Sequence, residues 1–329
     1  MSKILIIRFS SIGDIVLTTP VVRCIKQQLK GSEVHYVTKM AYKDMLSSNP
    51  YIDKLFTADD PAGNIYGRLR REKYDVVIDL HHNLRSFLFK TLLGIPAHSF
   101  HKLNIEKWLL VNFRINRLPH KHIVDRYFEA VVSLGVSNDG RGLDYFIPPA
   151  DEVDTGFLPA AHRAGYTGFA IGAKYATKQL PPMKIAAICK KISTPIVLLG
   201  GEEDRHKGEE IVKEAGDMVF NACGMFSLNG SASLVKQAER IITHDTGLMH
   251  IAAALKKDII SIWGSTIPGF GMSPYLPDGH SSRHALVEVE GLSCRPCSKL
   301  GHSACPKGHF KCMNEISPET VAEYCRVHK

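Results

Sequence analysis

Residues 241–266 read IITHDTGLMHIAAALKKDIISIWGST, and their order of polar and apolar positions decides the fold. A short apolar run ends at Ile242. Asp245, Thr246 and Gly247 make a polar turn able to cap a helix over 248–255, and a second strand over 259–263 is closed by Gly264, Ser265 and Thr266. Polar groups therefore gather past the ends of parallel strands, at the start of a helix. Ligands bind there in open α/β sheets, and free helix N–H groups suit phosphate. A carboxylate would repel phosphate, so Asp245 is expected to cap backbone N–H groups while Thr246, Gly247 and His250 face the ligand. Taken alone, a turn of this kind is more often structural than functional.

The same alternation runs outward in both directions. Towards the N-terminus, strands are expected over 3–9, 33–38, 54–57 and 74–80, with helices over 15–29, 41–47 and 65–73; Pro20 should delay or kink the first of these. A helix over 124–134 follows, stopped by Gly135. A second series opens with a strand over 169–172 and continues through helices over 183–191, 209–215 and 231–238 and strands over 196–199 and 218–221. The fold class is α/β, with doubly wound parallel sheets in two halves facing a cleft. The expected boundaries are 1–150, 151–316, and a last segment, 317–329, whose helix crosses back to the first half. The stretch 144–159, with Pro148 and Pro149, reads as the linker.

The 329 residues carry 44% hydrophobic and 22% charged side chains, which is globular composition with length for two cores. No stretch approaches 18 apolar residues, and the N-terminal run is too short for a signal peptide, so a cytoplasmic protein is expected. A formal charge of +8 favours an anionic partner without choosing among nucleic acid, nucleotide and acidic lipid.

Three constellations follow strands. Ser10 to Asp14 forms the first turn, where Asp14 is either a residue favoured by the helix dipole or a general base facing the cleft. Gly172 to Gln179 forms the second, where Lys174 and Lys178 could neutralise a diphosphate and Thr177 could add a hydroxyl; the P-loop pattern is absent, and a solvated loop fits equally well. The opening stretch is the third. Between Arg85 and Arg126, eight Lys and Arg residues face only Glu106 and Asp125, with histidines and aromatics among them. This reads either as a solvated helical hairpin or as an electropositive groove for an anionic acceptor. Cys294, Cys297, Cys305 and Cys312 have the spacing C-x2-C-x7-C-x6-C, open to a structural zinc, to disulfides or to free thiols under a loop.

On these residues the sequence resembles the bacterial lipopolysaccharide heptosyltransferases of glycosyltransferase family 9, which have the GT-B fold of two Rossmann-like domains. The resemblance spans nearly the whole chain. It rests on the run from Ile4 to Pro20, on Asp79 to Ser86, on Thr243 to Ala254, on Gly264 to Pro268, and on the Cys312-Met313 pair closing the Cys-rich tail. It implies a metal-independent, inverting transfer of heptose from ADP-heptose, or another nucleotide-diphospho-sugar, to the lipid A–core region, with no catalytic cofactor. Asp14 resembles the family's base and Lys178 its donor-phosphate lysine, with Thr177 alongside. Asp245, Thr246, Gly247 and His250 match the donor motif, and Glu202 or Glu203 sits where an acidic residue lies near the donor nucleoside. Ser11, Gly13, His82, Arg85, Lys102 and Arg126 are the expected acceptor side. The loop before Lys178 departs from the family's hydroxyl-rich pattern. A monomer touching the inner membrane face, without nucleic acid, is expected. The rival readings are a nucleotide-sugar epimerase or hydrolase of the same fold and a basic zinc protein that binds nucleic acid.

Overall fold

The run Lys3–Ile7 is apolar at successive positions because both faces of its strand are covered, and Leu5, Ile6 and Ile7 are fully buried. Each such side chain removed from water contributes roughly 1.5–3 kcal/mol. The computed structural model describes residues 2–59 and 64–326. In its first half β1 (Lys3–Ile7) is the centre strand, followed by α1 (Ile12–Val16), α2 (Thr19–Gln28), β2 (Glu33–Thr38), β3 (Lys54–Thr57), α3 (Ile65–Arg71), β4 (Val76–Asp79), α4 (Leu84–Leu93), β5 (Ala97–Ser99), α5 (Asn104–Phe113) and α6 (Ile123–Phe128). The sheet order is β3-β2-β1-β4-β5, with every pair parallel.

The second half contains β6 (Thr167–Ala170), α7 (Pro182–Cys189), β7 (Ile196–Leu199), α8 (Arg205–Ala215), β8 (Val219–Asn221), α9 (Leu228–Gln237), β9 (Arg240–His244), α10 (Gly247–Ala254), β10 (Asp258–Trp263), β11 (His284–Glu288), α11 (Lys311–Asn314) and α12 (Pro318–Arg326). Its parallel sheet runs β11-β10-β9-β6-β7-β8. In each half the functional turns leave the C-terminal ends of central strands, which puts them on the edge of the sheet where ligands collect.

Several local expectations needed correction. The helix expected over 15–29 is two helices, α1 and α2. Pro20 sits in the first turn of α2, where a missing N–H costs nothing, and the Thr18 hydroxyl bonds the Ile15 carbonyl at the break. The helix expected over 41–47 is a short 3-10 turn, Met40–Tyr42. The edge strands β5 and β11 lack a recognisable apolar run and were not foreseen. Over its described residues the final helix, α12, packs on α7 and β11 of the second half. Its apolar stripe of Val321, Ala322 and Cys325 is buried in the second core, and Lys191 pairs with Glu319 at 2.8 Å. Residues 327–329 of that expected segment lie outside the described residues. Among the described residues, no helix is long and apolar enough to cross a membrane.

Candidate active site

Just after β1, Arg8 turns inward instead of towards solvent. Its guanidinium donates to the carbonyls of Ser10 (2.8 Å) and Leu80 (2.5 Å) and to the Tyr127 hydroxyl (3.1 Å). The remaining nitrogen meets Asp14 Oδ1 at 2.6 Å. The other carboxylate oxygen accepts the Ser11 hydroxyl at 2.8 Å and the Ser11 N–H at 3.3 Å. Burial pulls the Asp14 carboxyl upward, but the Arg8 charge and the Ser11 hydrogen bonds outweigh it and hold the group below its ordinary value. Asp14 is therefore charged and held in one orientation at neutral pH.

The second turn lies after β9. Asp245 Oδ2 accepts Lys178 Nζ at 2.6 Å and the Thr266 hydroxyl at 2.8 Å. Asp245 thus neutralises Lys178, and the expectation that it caps backbone N–H groups is corrected. The neighbouring Thr246 is the N-cap of α10, yet its hydroxyl makes no capping bond and is buried with no hydrogen-bond partner. The first N–H groups of a helix have no intrahelical acceptor, so this hydroxyl and the α10 first turn together offer unused donors.

The two turns touch. A Cβ on Gly13 would lie 2.5 Å from His250 Cδ2, and one on Gly247 would lie 2.5 Å from Ile12 Cγ2. His250 is almost completely buried, and burial lowers its pKa to about 4, so the imidazole is neutral. The charges of Asp245, Asp14 and Lys178 all act on it, which locates it between the turns.

Cations line the other side of Asp14. Lys102 donates to the carbonyls of His81 and His82 at 3.1 and 3.2 Å. Burial brings Lys107 down to about 8, with the charge of Arg126 adding to it, and both Asp14 and Lys299 act on it. Arg126 is buried and donates one bond, to the Phe270 carbonyl of the second half at 3.2 Å. Its Nε and Nη1 have no partner. A buried guanidinium with two unused nitrogens is costly unless an anion completes it.

Of the expected residues, Ser11, Gly13, Asp14, Lys102, Arg126, Lys178, Asp245, Thr246, Gly247 and His250 are gathered at this cleft. Thr177 is buried, and its hydroxyl accepts the His302 N–H at 2.8 Å and the Ser265 hydroxyl at 2.9 Å. Lys174 is exposed and rests over the Tyr175 ring. Glu202 is exposed and paired with Arg205 at 2.7 Å. His82 is exposed with Nδ1 bonded to the Phe100 carbonyl at 2.8 Å, and Arg85 stacks over Phe9, 5.0 Å from its centroid. Arg8 and Arg295 are not singled out in the sequence, and Lys107 enters only as one of the eight basic residues between Arg85 and Arg126. Arg295 donates to the carbonyls of Gly264 (2.6 Å) and Thr266 (3.0 Å) and pairs with Glu288 at 2.8 Å, bracing the turn that holds Asp245. A cation inside an apolar strand pattern was the available signal for Arg8; nothing local marked Arg295.

The four clustered cysteines are free thiols. Among the described residues, no three of them bring their sulfurs within 4.8 Å of one another, so of the readings the spacing leaves open a tetrahedral zinc site finds no support. Cys312 is drawn into the second core, where burial pushes its thiol up to about 11, and burial also raises Cys297, whose S–H donates to the Cys294 carbonyl at 2.9 Å. Sulfurs separated in this way do not fit a tetrathiolate site. The three metal-type groups that do converge are Glu33, His35 and Glu72. Lys3 already bridges the two carboxylates at 3.1 Å each, and Lys54 also pairs with Glu72, making an ion-pair network at the opposite end of the sheet from the cleft.

The sequence profile of glycosyltransferase family 9 (heptosyltransferase) matches residues 64–303. The chain is 26% identical to lipooligosaccharide heptosyltransferase 2 of Haemophilus influenzae, covering 98% of this chain and 97% of the relative. Among solved structures it is similar to a family 9 glycosyl transferase from Veillonella parvula, with a TM-score of 0.77 and 23% identity over 99% and 96% of the two chains. It is also similar to the ADP-heptose lipopolysaccharide heptosyltransferase II of Escherichia coli, with a TM-score of 0.74 and 20% identity over 99% and 98%.

Proposed function

The chain belongs to glycosyltransferase family 9, and from that premise we propose that this glycosyltransferase moves a heptose from ADP-heptose, or a closely related nucleotide-diphospho-sugar, to an anionic lipid-linked saccharide of the lipopolysaccharide core. The observation that carries the reading is the contact between the two turns: Gly13 against His250 brings the Asp14 carboxylate opposite the unused donors at the start of α10.

The donor diphosphate sits against the first turn of α10, meeting Thr246 and the free N–H groups, while Lys178 exchanges its bond to Asp245 for one to phosphate. The acceptor lies against the first half, its anionic group on Arg126, Lys107 and Lys102. Asp14 takes the proton of the acceptor hydroxyl as that oxygen attacks the anomeric carbon. The bond from that carbon to the diphosphate oxygen breaks on the opposite face, inverting the centre, and the nucleoside diphosphate leaves with the bonding pair. Lys178 and the α10 donors meet the charge growing on it, so the chain supplies its own electrophilic stabilisation. An Asp14 held charged suits a late proton transfer, because the hydroxyl acidifies only as its oxygen becomes bonded to carbon. Work at the inner membrane face follows from the lipid on the acceptor.

The test is transfer from a panel of nucleotide sugars to a truncated lipid A–core acceptor. Heptose transfer that disappears in Asp14→Ala supports the reading. Turnover of donor at the same rate with no acceptor present points instead to a hydrolase or epimerase.

A further inference from the structure

The bilayer itself needs a seat on this protein, and one surface stands out. Half of the exposed large hydrophobic side chains among the described residues fall in one segment, 84–115. On α4, Ser86, Phe89 and Leu93 face the core, which leaves Leu84, Phe87, Leu88 and Leu92 in solvent, Leu84 at 75% exposure. On α5, Leu110 alone is buried, and Ile105, Trp108 and Phe113 project outward at 72%, 55% and 58%. Trp108 and Phe113 stack edge to face with centroids 5.1 Å apart. The segments leading into the two helices are tied together, since Lys102 donates to the carbonyls of His81 and His82 just ahead of α4. An amphipathic helix normally hides its apolar side; these two display one.

The charge around that apolar surface narrows its occupant. Between residues 84 and 117 the basic side chains are Arg85, Lys90, Lys102, Lys107, Arg114 and Arg117 against the single acid Glu106. Lys90 is paired with buried Asp79 at 3.2 Å, and Lys102 and Lys107 turn towards the cleft, which leaves Arg85, Arg114 and Arg117 beside the apolar side chains. A face with this excess of one sign repels a second copy of itself. An anionic bilayer satisfies both features: apolar and aromatic side chains enter the acyl boundary, while the cations stay at headgroup level. The surface also borders Lys102 and Lys107, both of which act on or are acted on by Asp14, so a chain docked this way has its cleft beside the lipid.

We infer that α4 and α5 form the seat of this protein on an anionic lipid bilayer, with Phe87, Leu88, Trp108 and Phe113 entering the membrane. The inference rests on the lipid-linked acceptor proposed above and names the surface that reaches it. The full chain carries two tryptophans, and Trp263 is buried, so Trp108 reports on the surface directly. The experiment mixes the protein with vesicles of phosphatidylglycerol and phosphatidylethanolamine, with and without brominated acyl chains, and with phosphatidylcholine vesicles. Expected are a blue shift and bromine quenching of the wild type on anionic vesicles, absence of that quenching in Trp108→Phe, and weaker sedimentation with phosphatidylcholine. Phe87→Glu combined with Leu88→Glu should lower partitioning about tenfold or more, while transfer to a delipidated, water-soluble acceptor keeps its rate. Quenching that persists in Trp108→Phe, unchanged sedimentation of the double variant, or self-association through these residues in ultracentrifugation overturns the inference. Loss of sugar transfer by the wild type to every acceptor, with vesicle binding intact, would defeat the enzymatic reading and leave the seat standing.

Discussion

Two aspartates face each other across the cleft, each at a strand end and each held by a cation at 2.6 Å, yet the two pairs are built for different work. Arg8 is buried and spends its other donors on two carbonyls and a tyrosine hydroxyl, so under the proposed mechanism Asp14 keeps its partner throughout. Lys178 has a flexible stem, and the only partner of its ammonium in the structure described here is Asp245, so an arriving diphosphate can take it over. In the mechanism proposed above, the first pair fixes a base and the second stores a cation until the donor binds. The same two residue classes at the same distance differ in how many other bonds the cation makes.

Asp14→Asn should lower kcat by about 10³-fold or more, with donor binding retained; a loss below tenfold would remove Asp14 from the chemistry. Arg8→Met should cost about 3–5 kcal/mol in urea denaturation, because it strands the Asp14 charge and a buried hydroxyl and carbonyl. The pH dependence has a definite sign. The folded carboxyl is held below its ordinary value, so its contribution is full above the unfolded pKa and fades as pH falls through the folded one, and Arg8→Met should abolish that acid-side loss.

Lys178→Met should cost less stability than Arg8→Met, because Asp245 keeps the Thr266 hydroxyl as a partner. It should still lower kcat/KM for the donor about 10²-fold. If stability instead falls as far as in Arg8→Met, the pair is a fixed brace and the contrast collapses. His250 sharpens the picture from between the turns. Its folded pKa of about 4 lies below the unfolded value, so the unfolded chain binds an extra proton between about 6.5 and 4, and stability falls as pH drops through that window. His250→Asn should flatten the slope there by about one proton, and an unchanged slope would mean the imidazole is solvated. The smallest effect is expected for Glu202→Gln, within about threefold on donor KM, since that carboxylate is exposed and paired with Arg205.

Much of this is legible in the sequence. Buried parallel strands announce themselves as apolar runs, and Asp14, Lys178 and the turn at 245–247 stand where such strands end. What escaped is what depends on contacts between distant segments. Thr177 reads as a ligand donor because its loop is polar, but its hydroxyl is taken by His302, 125 residues away. Arg295 lies in a Cys-rich run that suggests metal, and its work is done on carbonyls about thirty residues upstream. The cysteines share a loop in sequence, yet one of them is needed more by the apolar core than by its neighbours. Edge strands β5 and β11 carry too little burial to leave an apolar trace.

The reciprocal contact of Gly13 with His250 and of Gly247 with Ile12 has a consequence for engineering. In each case a bare backbone in one half receives a side chain from the other, so the halves are keyed to one another like a pair of lock wards. Chimaeras that graft the first half of one relative onto the second half of another must carry all four positions as a set. A library that varies donor and acceptor halves independently should recover active members chiefly where both keys are kept.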